Sequence, residues 1–222
     1  MAALIRAAKN PSYPAEIALV ISNRPSAAGL GIARSENVPC KIVDHTLFKI
    51  REDFEHDLDT ALREHSIEFI CLAGFMRLLT PWFVERWKNK ILNIHPSILP
   101  AFKGLHTYER AIRDRAKIHG ASVHFVSAEM DAGPVLARRI LSIRAGDTPE
   151  RLALRVLKME HKLYPSALRI VAEGRSEIRD GRCYVDGKEI GRYALFAGGK
   201  KHSVVVLGGR KAARLKRMMR AA

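Results

Sequence analysis

No apolar run in these 222 residues approaches the ~20 that a membrane-spanning helix needs, so the 47% of hydrophobic residues read as the core of a globular domain. The opening MAALIRAAKNPSYPAE has no long apolar stretch of the secretory-signal kind. Cysteine is scarce. Cys40, Cys71 and Cys183 are an odd number without CxxC spacing, which argues against a disulfide framework and reads as reduced thiols in a cytoplasmic protein. GxSxG, GxxxxGK(S/T) and GxGxxG are all absent, so elbow hydrolases, P-loop enzymes and dinucleotide enzymes lack their motifs here. His106, His119, His124 and His161 have no usual ligand spacing and no cysteine beside them, so no metal is expected.

Acid is missing altogether from Lys200 to Ala222, a stretch with eight Lys or Arg. It leaves the first 199 residues with +7 of the net +15. Nucleic-acid or membrane attraction is one reading of such a segment. A solvated tail is favoured over it, because no aromatic residue interleaves with the charges to stack bases. Residues 196–222 are therefore expected to be a basic, flexible tail behind a domain over 1–195. The remaining +7 suits an anionic substrate.

Strand and helix signals alternate through that domain. Ile17–Ser22 (IALVIS) and Glu68–Phe75 (EFICLAGF) are short, apolar runs of the kind buried on both faces of a parallel sheet. Lys41–Asp44 and Ile91–His95 are further strands. Helices are expected at Ala2–Lys9, Ala27–Asn37, Trp82–Lys88 and Tyr108–Lys117, and at Arg51–His65, whose Phe54, Leu58, Ala61 and Leu62 share a face. Ala121–Val126 and Pro134–Ile143 pair through the Asp131-Ala132-Gly133 turn. Thr148–Ala172 is the longest helix, with Pro149 in its first turn. A small hairpin spans Tyr184–Glu189. The fold class is α/β: a Rossmann-like, doubly wound, mostly parallel sheet with late antiparallel strands.

The chemistry gathers at Ile91–Gly104 (ILNIHPSILPAFKG). Asn93 and His95 are two apart on a strand, so they share a face. Pro96 and Pro100 end that strand and shape its loop. An amide donor and an imidazole at the C-terminal end of an apolar strand are where open α/β sheets place ligands. Asp131 is their natural carboxylate partner, although its spacing equally fits a turn former.

At this point the residues match a family. LAGFMRLL (Leu72–Leu79), LNIHPSILP (Leu92–Pro100), GLHT (Gly104–Thr107), HGASVHFV (His119–Val126), MDAGP (Met130–Pro134) and EHKLYP (Glu160–Pro165) resemble the phosphoribosylglycinamide formyltransferases, from about Ala2 to Leu195. The N-x-H pair with a later Asp marks the wider folate-dependent formyltransferase superfamily, and the EH-x-x-YP piece the glycinamide branch. The resemblance implies transfer of a formyl group from 10-formyltetrahydrofolate to the amine of phosphoribosylglycinamide, in purine synthesis. It gives Asn93 the formyl oxygen, His95 the proton transfer, and Asp131 the raising of the histidine pKa. It puts Arg51, Met76, Arg77, Leu78, Leu79, Asn93, Ser127 and Asp131 around the folate, and Glu160 at the glycinamide amine. A homodimer is an open assembly under it; no membrane and no nucleic-acid partner is implied.

The chain departs from that family at its start. Members begin with a buried strand, normally central in the sheet, and a G-x-G-S-N loop that holds the substrate phosphate. Here Met1 falls just after that loop. The expectation is a sheet missing its first strand, an authentic start further upstream, and, for this chain as it stands, poor stability and weak phosphoribosyl binding. Methionyl-tRNA formyltransferase and formyltetrahydrofolate hydrolase share the Asn-His-Asp chemistry and stand as alternatives, as does a non-catalytic or nucleic-acid-binding truncated product.

Overall fold

The computed structural model describes residues 1–190 and the backbone of 202–208. The described helices are α1 (Ala2–Ala8), α2 (Ala28–Ser35), α3 (Arg51–Glu64), α4 (Pro81–Arg86), α5 (Thr107–Arg113) and α6 (Pro149–Ala172). The described strands are β1 (Ala15–Ser22), β2 (Cys40–Ile42), β3 (Phe69–Leu72), β4 (Ile91–His95), β5 (Ile118–Phe125), β6 (Val135–Ser142), β7 (Ser176–Arg179), β8 (Arg182–Val185), β9 (Lys188–Glu189) and β10 (His202–Gly208). The chain divides into two compact units, Met1–Ile91 with Lys201–Ala222, and Leu92–Lys200.

In the first unit the strand order is β2-β1-β10-β3, and every pairing is parallel. Ile17, Leu19, Val20 and Ile21 of β1 and Ile70, Cys71 and Leu72 of β3 are buried, as continuous apolar runs in a parallel sheet must be. On α3, Phe54, Leu58, Ala61 and Leu62 form the expected buried face. Two acids lie buried with them. Glu55 accepts hydrogen bonds from the amide and hydroxyl of Thr80, the residue that caps α4 ahead of Pro81. Asp59 accepts from Trp87 Nε1 at 2.9 Å and pairs with Arg63 and Arg86.

β10 differs from expectation. His202–Gly208, read from the sequence as flexible tail, is a strand between β1 and β3. Val205 lies opposite Leu19 on one side and Ile70 on the other. Its VVVL run is the short, β-branched pattern that a strand slot paired on both edges selects. β10 is thus paired on both edges, and the inner edges of β1 and β3 are both paired. The rest of 196–222 lies outside the described residues, apart from this strand.

In the second unit β4, β5 and β6 run antiparallel in that order. β5 starts three residues earlier than its alternation indicates, and all but Ile118 are buried. The alternating pattern misleads because both faces are covered: α6 packs on β5 and β6, and on β5 His119 meets Phe102 from the loop after β4. α6 opens at Thr148, whose side chain accepts from the Arg151 amide. It buries Leu152, Val156, Leu163, Ala167 and Leu168. The buried Tyr164 hydroxyl donates to the Leu92 carbonyl at 2.9 Å, which ties α6 to the strand carrying Asn93 and His95. β7, β8 and β9 form a small antiparallel sheet. Its two turns are Asp180-Gly181 and Asp186-Gly187, both with positive φ. The hairpin expected at Tyr184–Glu189 is its second half. Parallel strands in one unit and antiparallel strands in the other give the mixed α/β class expected.

Candidate active site

β4 ends at His95, where Pro96 stops the ladder, so Asn93 and His95 are the last two same-face residues of the strand. The antiparallel register sets Asn93 opposite His124 and His95 opposite Ser122. Asn93 is half-buried and His95 is 6% exposed. The loop that follows is pinned at its near end by Ser122, whose hydroxyl donates to the Ser97 carbonyl at 2.7 Å and accepts from the Leu99 amide at 3.0 Å. Arg138 donates to the Leu99 carbonyl at 3.0 Å.

Asp131 comes to this strand end from the β5–β6 turn. Its backbone is left-handed, with φ 53°. Gly133, two residues on, is required by close approach: a Cβ there would lie 1.9 Å from the Phe125 carbonyl oxygen. The turn delivers Asp131 Oδ2 to 3.4 Å from His95 Nδ1, and Oδ1 to 3.6 Å from His124 Nε2. The Gly104 amide donates to Oδ2 at 2.8 Å. Asn93, His95 and Asp131 thus converge within one unit, as the resemblance implies.

Hydrogen-bond partners fix the rings. His95 Nε2 is 3.0 Å from the Phe102 carbonyl oxygen, which only accepts, so Nε2 carries hydrogen. His124 Nδ1 likewise donates to the Phe125 carbonyl at 2.9 Å. Its Nε2 accepts from Asn93 Nδ2 at 3.2 Å, which turns the amide group of Asn93 and leaves its second N–H free. In the sequence His124 is one of the histidines without metal spacing and part of the HGASVHFV stretch, with no role assigned to it. Its signal is cross-strand register, which becomes visible once β4 and β5 are paired.

Burial pushes the His95 imidazole below its ordinary pKa; the Phe102 carbonyl and Asp131 pull the other way and do not overcome it. The expectation that Asp131 raises this pKa therefore holds for the pair contact alone, and the net direction is downward because desolvation is larger. Burial also pushes the Asp131 carboxyl up, but His124, the Gly104 amide and His95 together hold it below the usual carboxylate value. At neutral pH the arrangement is an ionised carboxylate facing a neutral imidazole, poised to accept a proton on Nδ1.

The other expected site residues are spread over both units. Ser127 lies on the turn with Asp131, its hydroxyl donating to the Glu129 carbonyl at 2.9 Å. Glu160 is half-buried on α6, one turn before Tyr164. Arg51 opens α3 and is exposed, in the first unit. In the loop after β3, Met76 is 54% and Leu78 55% exposed, and Leu79 is half-buried. Arg77 lies between them with its guanidinium 5.6 Å from the Phe54 ring centroid. Two exposed apolar side chains thus flank Arg77, whose electrostatic neighbours include Arg51. Among the described residues, no group of three or more His, Cys, Asp or Glu is arranged to hold a metal ion, and no helix is long and apolar enough to cross a membrane.

Comparison with known proteins gives a consistent result. A family described as formyl transferase matches residues 1–168. The chain is 36% identical over 187 residues to the phosphoribosylglycinamide formyltransferase of Haemophilus influenzae, covering 84% of this chain and 88% of that protein. It is 42% identical over 176 residues to the human trifunctional purine biosynthetic protein adenosine-3, covering 79% of this chain and 17% of that much longer protein. Among solved structures, the phosphoribosylglycinamide formyltransferase of Coxiella burnetii in complex with CHES superposes with a TM-score of 0.82 at 39% identity, covering 90% of this chain and 92% of that one.

Proposed function

The chain belongs to the formyl transferase family, and from that membership we propose that it transfers the formyl group of 10-formyltetrahydrofolate to the amine of phosphoribosylglycinamide, a step of purine biosynthesis carried out in the cytoplasm. The observation that carries this reading is the contact of His95 with an ionised Asp131 beside Asn93 at the end of β4. Relatives named for this reaction at 35–36% identity over most of their length support the choice of substrates.

The chemistry follows from the groups. The glycinamide nitrogen attacks the formyl carbon, and charge builds on the formyl oxygen. The free N–H of Asn93 donates to that oxygen, a role worth about 3 kcal/mol where such donors have been removed. The new C–N bond leaves a proton on the attacking nitrogen. His95 Nδ1 accepts it, and Asp131 stabilises the imidazolium that forms. The same proton then passes to the departing folate nitrogen as its bond to the formyl carbon breaks, which restores neutral His95. Glu160 receives the substrate amine as it arrives charged, and the amine releases its third proton to solvent before the neutral nitrogen attacks. The family resemblance assigns folate contacts to Arg51, Met76, Arg77, Leu78 and Leu79 in the first unit and to Ser127 in the second.

Formyl transfer measured with phosphoribosylglycinamide, with methionyl-tRNA and with water as acceptors tests this reading. Transfer to phosphoribosylglycinamide, lost in His95→Ala, is the expected result. Turnover only with one of the other acceptors, or undiminished in that variant, would refute it.

A further inference from the structure

The loop from Pro96 to His106 supplies one contact to each member of the His95–Asp131 pair: the Phe102 carbonyl to His95 Nε2 and the Gly104 amide to Asp131 Oδ2. To do so the backbone turns left-handed at alternate residues, with φ 55° at Phe102, 78° at Gly104 and 57° at His106. Glycine takes this conformation freely. Phenylalanine does not, so something must hold Phe102 there.

One side chain spans the loop. Arg110, on α5, lies with its guanidinium 5.6 Å from the Phe102 ring centroid. Its Nη1 also donates to the Lys103 carbonyl at 2.6 Å and to the Leu105 carbonyl at 3.3 Å. A second ring-edge contact holds Phe102 from β5: buried His119 meets it at 5.7 Å, and Tyr108 backs His119 at 5.6 Å. The planar guanidinium suits this task, since it can stack on a ring through its face while its edge donates to carbonyls. An ammonium group offers neither the plane nor the fork.

We infer that Arg110 is a positioning residue for formyl transfer: it staples the Pro96–His106 loop so that the Phe102 carbonyl holds the hydrogen on His95 Nε2, leaving Nδ1 as the nitrogen that takes the proton beside Asp131. Arg110 makes no hydrogen bond to His95, although its charge helps to lower the His95 pKa from a distance; Arg110→Lys keeps that charge and so isolates what Arg110 does through the loop. The inference rests on the formyl-transfer reading for its kinetic part only.

The test compares Arg110→Leu and Arg110→Lys with Arg113→Leu, which removes an exposed arginine of the same helix. Each is followed by kcat, by KM for both substrates, by thermal melting, and by the downfield NMR resonance of the His95 Nε2–H, assigned by its loss in His95→Gln. Arg110→Leu is expected to lower kcat about ten- to a hundredfold, the scale of a small misplacement of catalytic groups. KM should stay within about twofold. The Nε2–H resonance should be lost to exchange with water. Arg110→Lys should fall between, and Arg113→Leu should match the parent. An unchanged kcat and an intact resonance in both Arg110 variants would overturn the inference. Should Arg110→Leu fail to fold, Arg110→Lys alone decides: an intact resonance and full kcat refute the staple. Should the parent not transfer formyl groups at all, the proposed function fails, and the resonance still tests the staple separately.

Discussion

Asp131→Asn separates the charge of Asp131 from its geometry. The amide is nearly isosteric with the carboxyl group, so its oxygen keeps the hydrogen bond from the Gly104 amide and the turn stays in place. What is removed is a negative charge 3.4 Å from His95 Nδ1, with both side chains nearly buried at 7% and 10% exposure. At an effective dielectric of about 20, that separation gives an attraction of about 5 kcal/mol for the imidazolium formed during turnover. The amide dipole and a reoriented water return about half of it. The remaining loss of about 2–3 kcal/mol corresponds to about a hundredfold in kcat. The pH profile has a sign as well. Asp131 favours the charged ring, so its loss moves an already lowered His95 pKa further down. Since His95 must be neutral to take the proton, the acid limb of kcat/KM should move to lower pH. The assay is stopped-flow formation of tetrahydrofolate from pH 5 to 9. A limb that moves upward, or a kcat within about threefold of the parent, would refute the account of the pair.

Two further outcomes are expected. Val205→Pro removes an amide donor from the centre of β10, between β1 and β3, and should destabilise the protein by about 3 kcal/mol. At this chain length that is a fall of about 6–12 °C in Tm by differential scanning calorimetry, and an unchanged melt would contradict the strand's place in the sheet. Tyr164→Phe removes the buried hydroxyl that donates to the Leu92 carbonyl and should cost about 1–1.5 kcal/mol, or about 2–6 °C in Tm, with kcat reduced less than in Asp131→Asn.

Much of this arrangement is legible in the sequence because it depends on local periodicity. The apolar face of α3, the Thr148-Pro149 start of α6 and the two-residue spacing of Asn93 and His95 are all set by neighbours in the chain. What the sequence hides is set by pairing at a distance. Asp131 reaches His95 only through the β5–β6 turn, and His124 faces Asn93 only through the β4–β5 register. β7 has a readable signal in the Asp180-Gly181 turn of a two-residue hairpin, but its charged SEIR run lacks a core face to mark it as a strand. β10 was masked by the basic residues around it, although VVVL followed by Gly-Gly has the composition of a buried strand. The net direction of the His95 pKa depends on burial, which no spacing rule reports.

The position of β10 also bears on how the protein is made. Val204 pairs with Phe69, so 135 residues of synthesis separate two neighbours in the first unit's sheet. At about 5–20 residues per second, the nascent chain carries β1 and β3 for roughly seven to twenty-seven seconds before the strand that joins them exists. Throughout that interval both hold unpaired inner edges, which are templates for any extended segment nearby. A ribosome-bound intermediate of this protein is therefore a natural client for chaperones. Two nascent copies on one messenger could each lend the other its β10, giving an exchanged pair at high expression that dilution and refolding would separate.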